Sequence, residues 1–209
     1  MRGRSARLFA ALYPSDEALD HLGLALSALG AVALDDGRPS LRWTPRDLMH
    51  LTVAFFGEVA DGAAEDLGRA LDEVTEATEP LTLHLRGAGT FEDRILFAGV
   101  GGDAEALRRL SAATAEAASD VGLRLDRRPR QRAHLTVARA SGPRKNGRRK
   151  TDPRPTGPGL AELAHALAVY EGPRFTADEL CLVESTPGAG RSGGPLYEVV
   201  RTSPLGGRR

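Results

Sequence analysis

The sequence predicts an α+β fold built from two similar halves, and three observations carry that prediction. A five-residue motif occurs twice, as His50-Leu51-Thr52-Val53-Ala54 and as His134-Leu135-Thr136-Val137-Ala138. Each copy alternates polar and apolar side chains, the period of a strand with one buried face. Segments with helical apolar spacing, over residues 17–29, 62–77 and 104–121, lie between these and other strand-like runs.

In chain order, residues 7–13 (R-L-F-A-A-L-Y) read as the first strand. Pro14-Ser15-Asp16 then supply a turn and an N-cap for the first helix. The first motif opens a strand that Phe55-Phe56 carry to Gly57, and Leu67, Leu71 and Val74 mark the buried stripe of the following helix. Residues 81–85 alternate cleanly, a polar turn falls at residues 91–94, and residues 95–100 form an apolar strand. Leu107 and Leu110 share one face of the third helix, which leads into the second motif strand. Residues 142–159 combine Gly, Pro and basic side chains without periodicity, which predicts a long, flexible basic loop. A last helix over residues 160–170 precedes two strands, 179–184 and 196–201, joined by the glycine-rich turn 187–195.

The chain has 209 residues, 41% of them hydrophobic and 27% charged, enough for one soluble domain without disulfides or a structural metal. A single cysteine, Cys181, supports neither and points to a reducing, cytoplasmic setting. The apolar run at residues 8–13 stops at Pro14, too short for a signal-peptide core or a membrane span, so no membrane association is expected. Basic and acidic side chains balance at 28 each, yet residues 124–154 hold twelve of the basic ones and only Asp126 and Asp152 of the acidic. Such a segment attracts polyanions, or is simply a solvated arginine-rich surface.

In each motif the histidine and threonine share one face, and leucine and valine the other. The apolar face fits a core. A lone strand histidine is ordinarily bonded to a backbone carbonyl, but a duplicated pair of polar faces can meet across a cleft. With ordinary pKa values near 6.5, one imidazole can accept a proton while the other, charged, donates one. Threonine hydroxyls beside them can hold phosphate oxygens. His50, His134, Thr52 and Thr136 are thus candidates for in-line attack on a phosphodiester without a metal. Zinc needs three or four ligands, and neither motif has Cys, Asp or Glu at ligand spacing. His21, His84 and His165 read as surface residues. No G-x-x-x-x-G-K-[ST] or H-E-x-x-H pattern occurs, and no cofactor is expected.

At these residues the chain resembles the 2H phosphoesterase superfamily, whose members carry two H-x-[ST]-x motifs. It is most similar to the RNA 2′,3′-cyclic phosphodiesterases, formerly described as 2′-5′ RNA ligases. The likeness includes R-L-F-A-A-L at residues 7–12, R-W-T-P at 42–45, H-L-T-V-A-F-F-G-E-V at 50–59 and F-A-G-V at 97–100. It continues with H-L-T-V-A-R at 134–139 and L-Y-E-V-V at 196–200. Two departures are Ala133, where relatives usually have Pro, and the longer loop at 142–159.

The resemblance implies two pseudo-symmetric lobes, each a mainly antiparallel sheet with outer helices, enclosing a central cleft in a single domain over residues 1–209. It implies hydrolysis of 2′,3′-cyclic phosphates to 2′-phosphates, with RNA ends or small 2′,3′-cyclic nucleotides as partners, no cofactor, and a monomer. By the same likeness His50 is the acid, His134 the base, and Thr52, Thr136 and Arg139 hold the phosphate. Arg139 lies on the wrong face of an ideal strand and reaches the site only if the strand twists, bulges or ends there. Phe9 and Trp43 are candidates to stack a nucleobase, with core packing as their plainer role. A nucleotide or RNA-end binding module without turnover, and 2′-5′ ligation as the reverse reaction, are the alternatives.

Overall fold

The computed structural model describes residues 5–28, 41–92, 94–123, 133–140 and 160–207. The loop expected at 142–159, and most of the basic segment around it, lie outside the described residues. The elements run β1 (Ser5–Leu12), α1 (Asp16–Ala28), β2 (Leu41–Trp43), β3 (Leu51–Ala60), α2 (Asp61–Glu76), β4 (Leu81–Phe91), β5 (Ile95–Gly102) and α3 (Ala104–Asp120). They continue with β6 (His134–Ala140), α4 (Leu160–Ala166), β7 (Glu171–Ala177), β8 (Glu179–Thr186) and β9 (Leu196–Pro204).

The strands pair antiparallel in the order β7-β4-β5-β6-β3-β1-β8-β9, with β2 added against β6. The two halves, β3-β1-β8-β9 and β6-β5-β4-β7, meet at one residue pair, Leu51 with Leu135. These are the equivalent leucines of the two motifs, so a pseudo-twofold axis runs between them. Continuing that register one residue either way sets His50 opposite Thr136 and Thr52 opposite His134. Beyond this join β2 takes the edge of β6, with Trp43 paired to Ala138.

The repeat extends to an irregularity. Ala11 pairs with Thr52 and Ala10 with Ala54, so Val53 is an extra, bulged residue in β3. Phe97 pairs with Thr136 and Leu96 with Ala138, so Val137 is bulged in β6. Both valines are buried, as are Leu51 and Leu135.

Helix α1 begins where Ser15 Oγ accepts the Ala18 N–H at 3.2 Å, and it buries Ala18, Leu19, Leu22 and Leu26. Leu67 and Leu71 on α2, with Leu107 and Leu110 on α3, join the same core. Each fully buried leucine contributes about 1.5–3 kcal/mol. The apolar face of the motif strands is thereby anchored, and the other face is left for chemistry.

Four features differ from the sequence reading. Strand β3 runs on through Gly57, which has φ +73 at a second bulge, and ends at Ala60. Helix α4 ends at Ala166, and the residues beyond it form β7. That strand holds Gly172 and Pro173, which hide a strand pattern, but it is an edge strand, where proline is tolerated. Because β7 pairs with β4, His84 is 6% exposed rather than at the surface, with Nε2 3.4 Å from Glu171 Oε1. His21 and His165 are exposed as expected. No helix among the described residues is long and apolar enough to cross a membrane.

Candidate active site

A cleft of about 1070 Å³ lies over the join between the halves. His50, Thr52, His134 and Thr136 all line it, and so do Arg139 and Trp43. Each motif contributes its polar face, because the paired leucines turn the apolar faces away together.

His50 follows a 3₁₀ turn, Arg46–Leu48, and its Nδ1 lies 2.9 Å from the Leu48 carbonyl oxygen. A carbonyl only accepts, so Nδ1 carries the proton and Nε2 of the neutral ring has its lone pair available. The ring sits 4.9 Å from Phe9 and 5.4 Å from Tyr197, centroid to centroid. Burial lowers the His50 pKa, the Leu48 carbonyl opposes that shift, and the nearby charges of His134 and Arg139 add to it. Tyr13, 6.2 Å from His50, has its hydroxyl pushed up to about 12 chiefly by burial, so it stays protonated.

His134 is backed by a different pair of rings. Phe91 and Phe97 stack at 4.2 Å, and the imidazole stands edge-on to them at 4.8 Å and 5.4 Å. Gly89, opposite Phe97 in β4, leaves that ring its place, since a Cβ there would stand 2.6 Å from it.

The bulge at Val137 resolves the parity problem of Arg139. One extra residue after Thr136 brings Arg139 onto the His134 face, where it is exposed and lines the cleft. Trp43 is half-buried on the cleft wall. Phe9 is only 3% exposed, with its ring enclosed by His50, Tyr197 and its own small cluster, so the geometry makes it a wall for the imidazole.

Sequence reasoning overlooked Phe55, Arg7 and Tyr197. Phe55 occupies in the first repeat the place of Arg139 in the second, so aligning the two copies five residues past each histidine would have found it. Tyr197 comes from β9, far along the chain, where L-Y-E-V-V entered the sequence reading as part of the likeness and not as a site segment.

Two imidazoles, two hydroxyls and a guanidinium around one cleft can transfer protons and neutralise an anion. The sequence model of the 2′-5′ RNA ligase superfamily matches residues 33–189, most of the chain. The chain belongs to the 2′-5′ RNA ligase superfamily. Among curated relatives, an RNA 2′,3′-cyclic phosphodiesterase of Aquifex aeolicus is 26% identical over 170 residues, covering 79% of this chain and 82% of that protein. One of the same name from Geobacillus stearothermophilus is 37% identical over 105 residues, which cover 48% of this chain but 33% of that protein. Escherichia coli LigT complexed with 3′-AMP superposes with a TM-score of 0.68 at 20% identity, covering 97% of this chain and 99% of that one. A Thermus thermophilus structure gives 0.67 at 21% identity, covering 97% and 100%. At these identities the structures establish a shared fold, the two-lobed 2H phosphoesterase architecture that the family resemblance implied.

Proposed function

We propose that this superfamily member is an RNA 2′,3′-cyclic phosphodiesterase that converts 2′,3′-cyclic phosphate ends to 2′-phosphates by two-histidine acid–base catalysis without a metal. The observation that carries this reading is the pairing of Leu51 with Leu135, which turns both histidines and both threonines into one cleft. The names of the curated relatives favour the same activity.

In this reading, water attacks phosphorus in line with the bond to O3′ and loses its proton to His134. A phosphorus–oxygen bond to water forms, the bond to O3′ breaks, and the leaving O3′ takes a proton from the His50 imidazolium. Thr52, Thr136 and Arg139 hold the non-bridging oxygens as charge builds on them. The hydrogen bond to Leu48 turns Nε2 of His50 toward the reaction.

The test is hydrolysis of a nucleoside 2′,3′-cyclic phosphate in EDTA, with the product assigned by NMR. The expected product is the 2′-phosphate, and His50→Ala and His134→Ala should each remove about 10²-fold or more of the rate. Exclusive 3′-phosphate, a strict metal requirement, or a loss of only a few-fold would refute the mechanism. Tight binding of nucleoside monophosphates with no turnover across a panel of cyclic phosphates would assign the cleft to recognition instead.

A further inference from the structure

The Leu48 carbonyl that meets His50 Nδ1 belongs to a short segment tied down on two sides. On one side the Thr44 N–H donates to the Val137 carbonyl oxygen, 2.9 Å away at the bulge of the second motif strand. On the other, Arg46 reaches to the start of α1. Its Nη2 donates to the Asp16 carbonyl oxygen and to Asp16 Oδ1, each at 2.9 Å, and its Nη1 donates to Asp20 Oδ1. Helix α1 is itself anchored, because Ala18, Leu19, Leu22 and Leu26 sit in the core. Between these ties the 3₁₀ turn closes, with the Leu48 N–H on the Pro45 carbonyl at 2.9 Å and the Met49 N–H on the Arg46 carbonyl at 3.1 Å.

The Arg46 side chain is 44% exposed and its two carboxylates more so. Ion pairs this exposed add little to stability, so three bonds from one guanidinium to one helix end need another account. No residue of the turn is buried, so apolar packing does not orient it. A planar guanidinium fork, spanning three acceptors on an anchored helix, does. Arg46 lies outside the cleft lining, to which Pro45, Leu48 and His50 contribute, so its effect on the reaction runs through another residue.

We propose that Arg46 is a positioning residue for His50: by clamping the 3₁₀ turn to α1 it holds the Leu48 carbonyl on Nδ1 and keeps Nε2 as the atom that faces the reaction. Its catalytic consequence rests on the two-histidine reading; the clamp itself does not. The charges that His50 feels are those of His134 and Arg139 on β6, not of Arg46 or its carboxylates, and the hydroxyl-bearing rings beside it are Tyr13 and Tyr197. The Leu48 bond raises the His50 pKa, so a loosened turn lowers it further, whereas a direct effect of deleting the Arg46 charge would raise it. The two accounts differ in sign.

The experiment compares wild type, Arg46→Ala, Arg46→Lys and the control Arg69→Ala, which opens another exposed pair, with Asp66 on α2. Nitrogen-15 NMR of the imidazoles reads the tautomer and midpoint of His50. Wild type and Arg69→Ala should carry the neutral ring's proton on Nδ1; Arg46→Ala should move much of it to Nε2 and lower the midpoint, with Arg46→Lys between, since one amine cannot span three acceptors. In Arg46→Ala, kcat on a nucleoside 2′,3′-cyclic phosphate should fall about 10-fold with KM nearly unchanged, and thermal unfolding should scarcely move. An unchanged tautomer, a midpoint that rises, or a kcat loss shared by Arg69→Ala would overturn the clamp. If wild type hydrolyses no cyclic phosphate, the proposed activity fails, and tautomer and midpoint still decide the clamp. Should Arg46→Ala not fold, the double variant Asp16→Ala/Asp20→Ala tests it by the same tautomer shift, whose absence would refute it.

Discussion

Replacing Phe9 by leucine separates two roles for this ring that predict opposite kinetics. Phe9 is 3% exposed, stands 4.9 Å from the His50 ring and 5.1 Å edge-on from Tyr197, and packs with Ala11, Cys181 and Val183. Truncation to alanine would cost about 3–5 kcal/mol, a large share of the roughly 5–15 kcal/mol that holds a domain folded. Leucine retains most of the volume, so a loss of about 1–1.5 kcal/mol is expected, measurable by urea unfolding in a protein that is still folded. The imidazole, however, loses a flat wall whose ring contacts contribute roughly 0.5–1.5 kcal/mol beyond burial. On the proposed two-histidine mechanism, a loosened His50 spends less time in the reactive geometry, and kcat should fall on the order of 10-fold. KM should hold, and the loss should be equal for adenosine and base-less cyclic phosphates. A raised KM confined to the adenosine substrate, with kcat unchanged, would refute this and return Phe9 to the base-stacking role that its sequence position suggested.

Two further predictions concern charge. In an NMR titration, His50 should have its midpoint below the ordinary 6.5, because burial leads its shift, and Arg139→Gln should move it upward by removing a neighbouring positive charge. Since folding favours the neutral ring, the associated stability is present above pH 6.5 and is lost as pH falls through the lowered folded value. A midpoint above 6.5, or a fall in Arg139→Gln, would contradict the electrostatics. On the far side of the sheet, Asp72 of α2 accepts bonds from Arg201 Nε at 3.1 Å, from Arg201 Nη2 and from the Ser203 hydroxyl of β9. Arg201 holds its carboxyl below the ordinary 3.8, with the Ser203 bond assisting. Discounted for partial exposure, Asp72→Asn should cost about 1 kcal/mol at neutral pH, read by thermal unfolding. Its deficit should vanish as pH falls through the Asp72 folded pKa, and a deficit independent of pH would show that the charge is not what matters.

What the sequence made legible followed the two periodicities closely. The duplicated H-L-T-V-A implied both strands, their buried faces and the polar pairings, because period two leaves little freedom when one face is leucine and valine. It was silent on β7, where Gly172 and Pro173 interrupt the pattern and edge pairing alone makes the strand. His84 was misplaced as a result, since its burial depends on that unseen neighbour. Strict alternation left the place of Arg139 conditional on a twist, a bulge or a strand end, and the bulge at Val137 meets that condition, which sequence alone could not show because a bulge is a property of two strands together. The signal lay in comparing the repeats, where Phe55 and Arg139 share one offset. Phe9 illustrates the opposite limit: the sequence offered both base stacking and core packing for it, and the structure places a ring only 3% exposed on the cleft lining beside His50.

Duplication by itself makes a poor acid–base pair, since two equivalent imidazoles titrate together and repel when both are charged. The surroundings of His50 and His134 break that equivalence. His50 has a carbonyl on Nδ1 and rings from β1 and β9 around it, while His134 leans on the stacked Phe91 and Phe97. In the free protein, burial and the charges of His134 and Arg139 favour neutral His50. On the two-histidine reading, a bound phosphodiester brings a negative charge into the cleft and opposes each of those effects. Binding then draws a proton onto His50 as the leaving oxygen comes within reach. On that reading the acid is charged when substrate is present, and Arg139 and the threonines take up the negative charge. Sequence identity of the two motifs is therefore compatible with distinct roles, because the residues that separate acid from base lie outside the motifs.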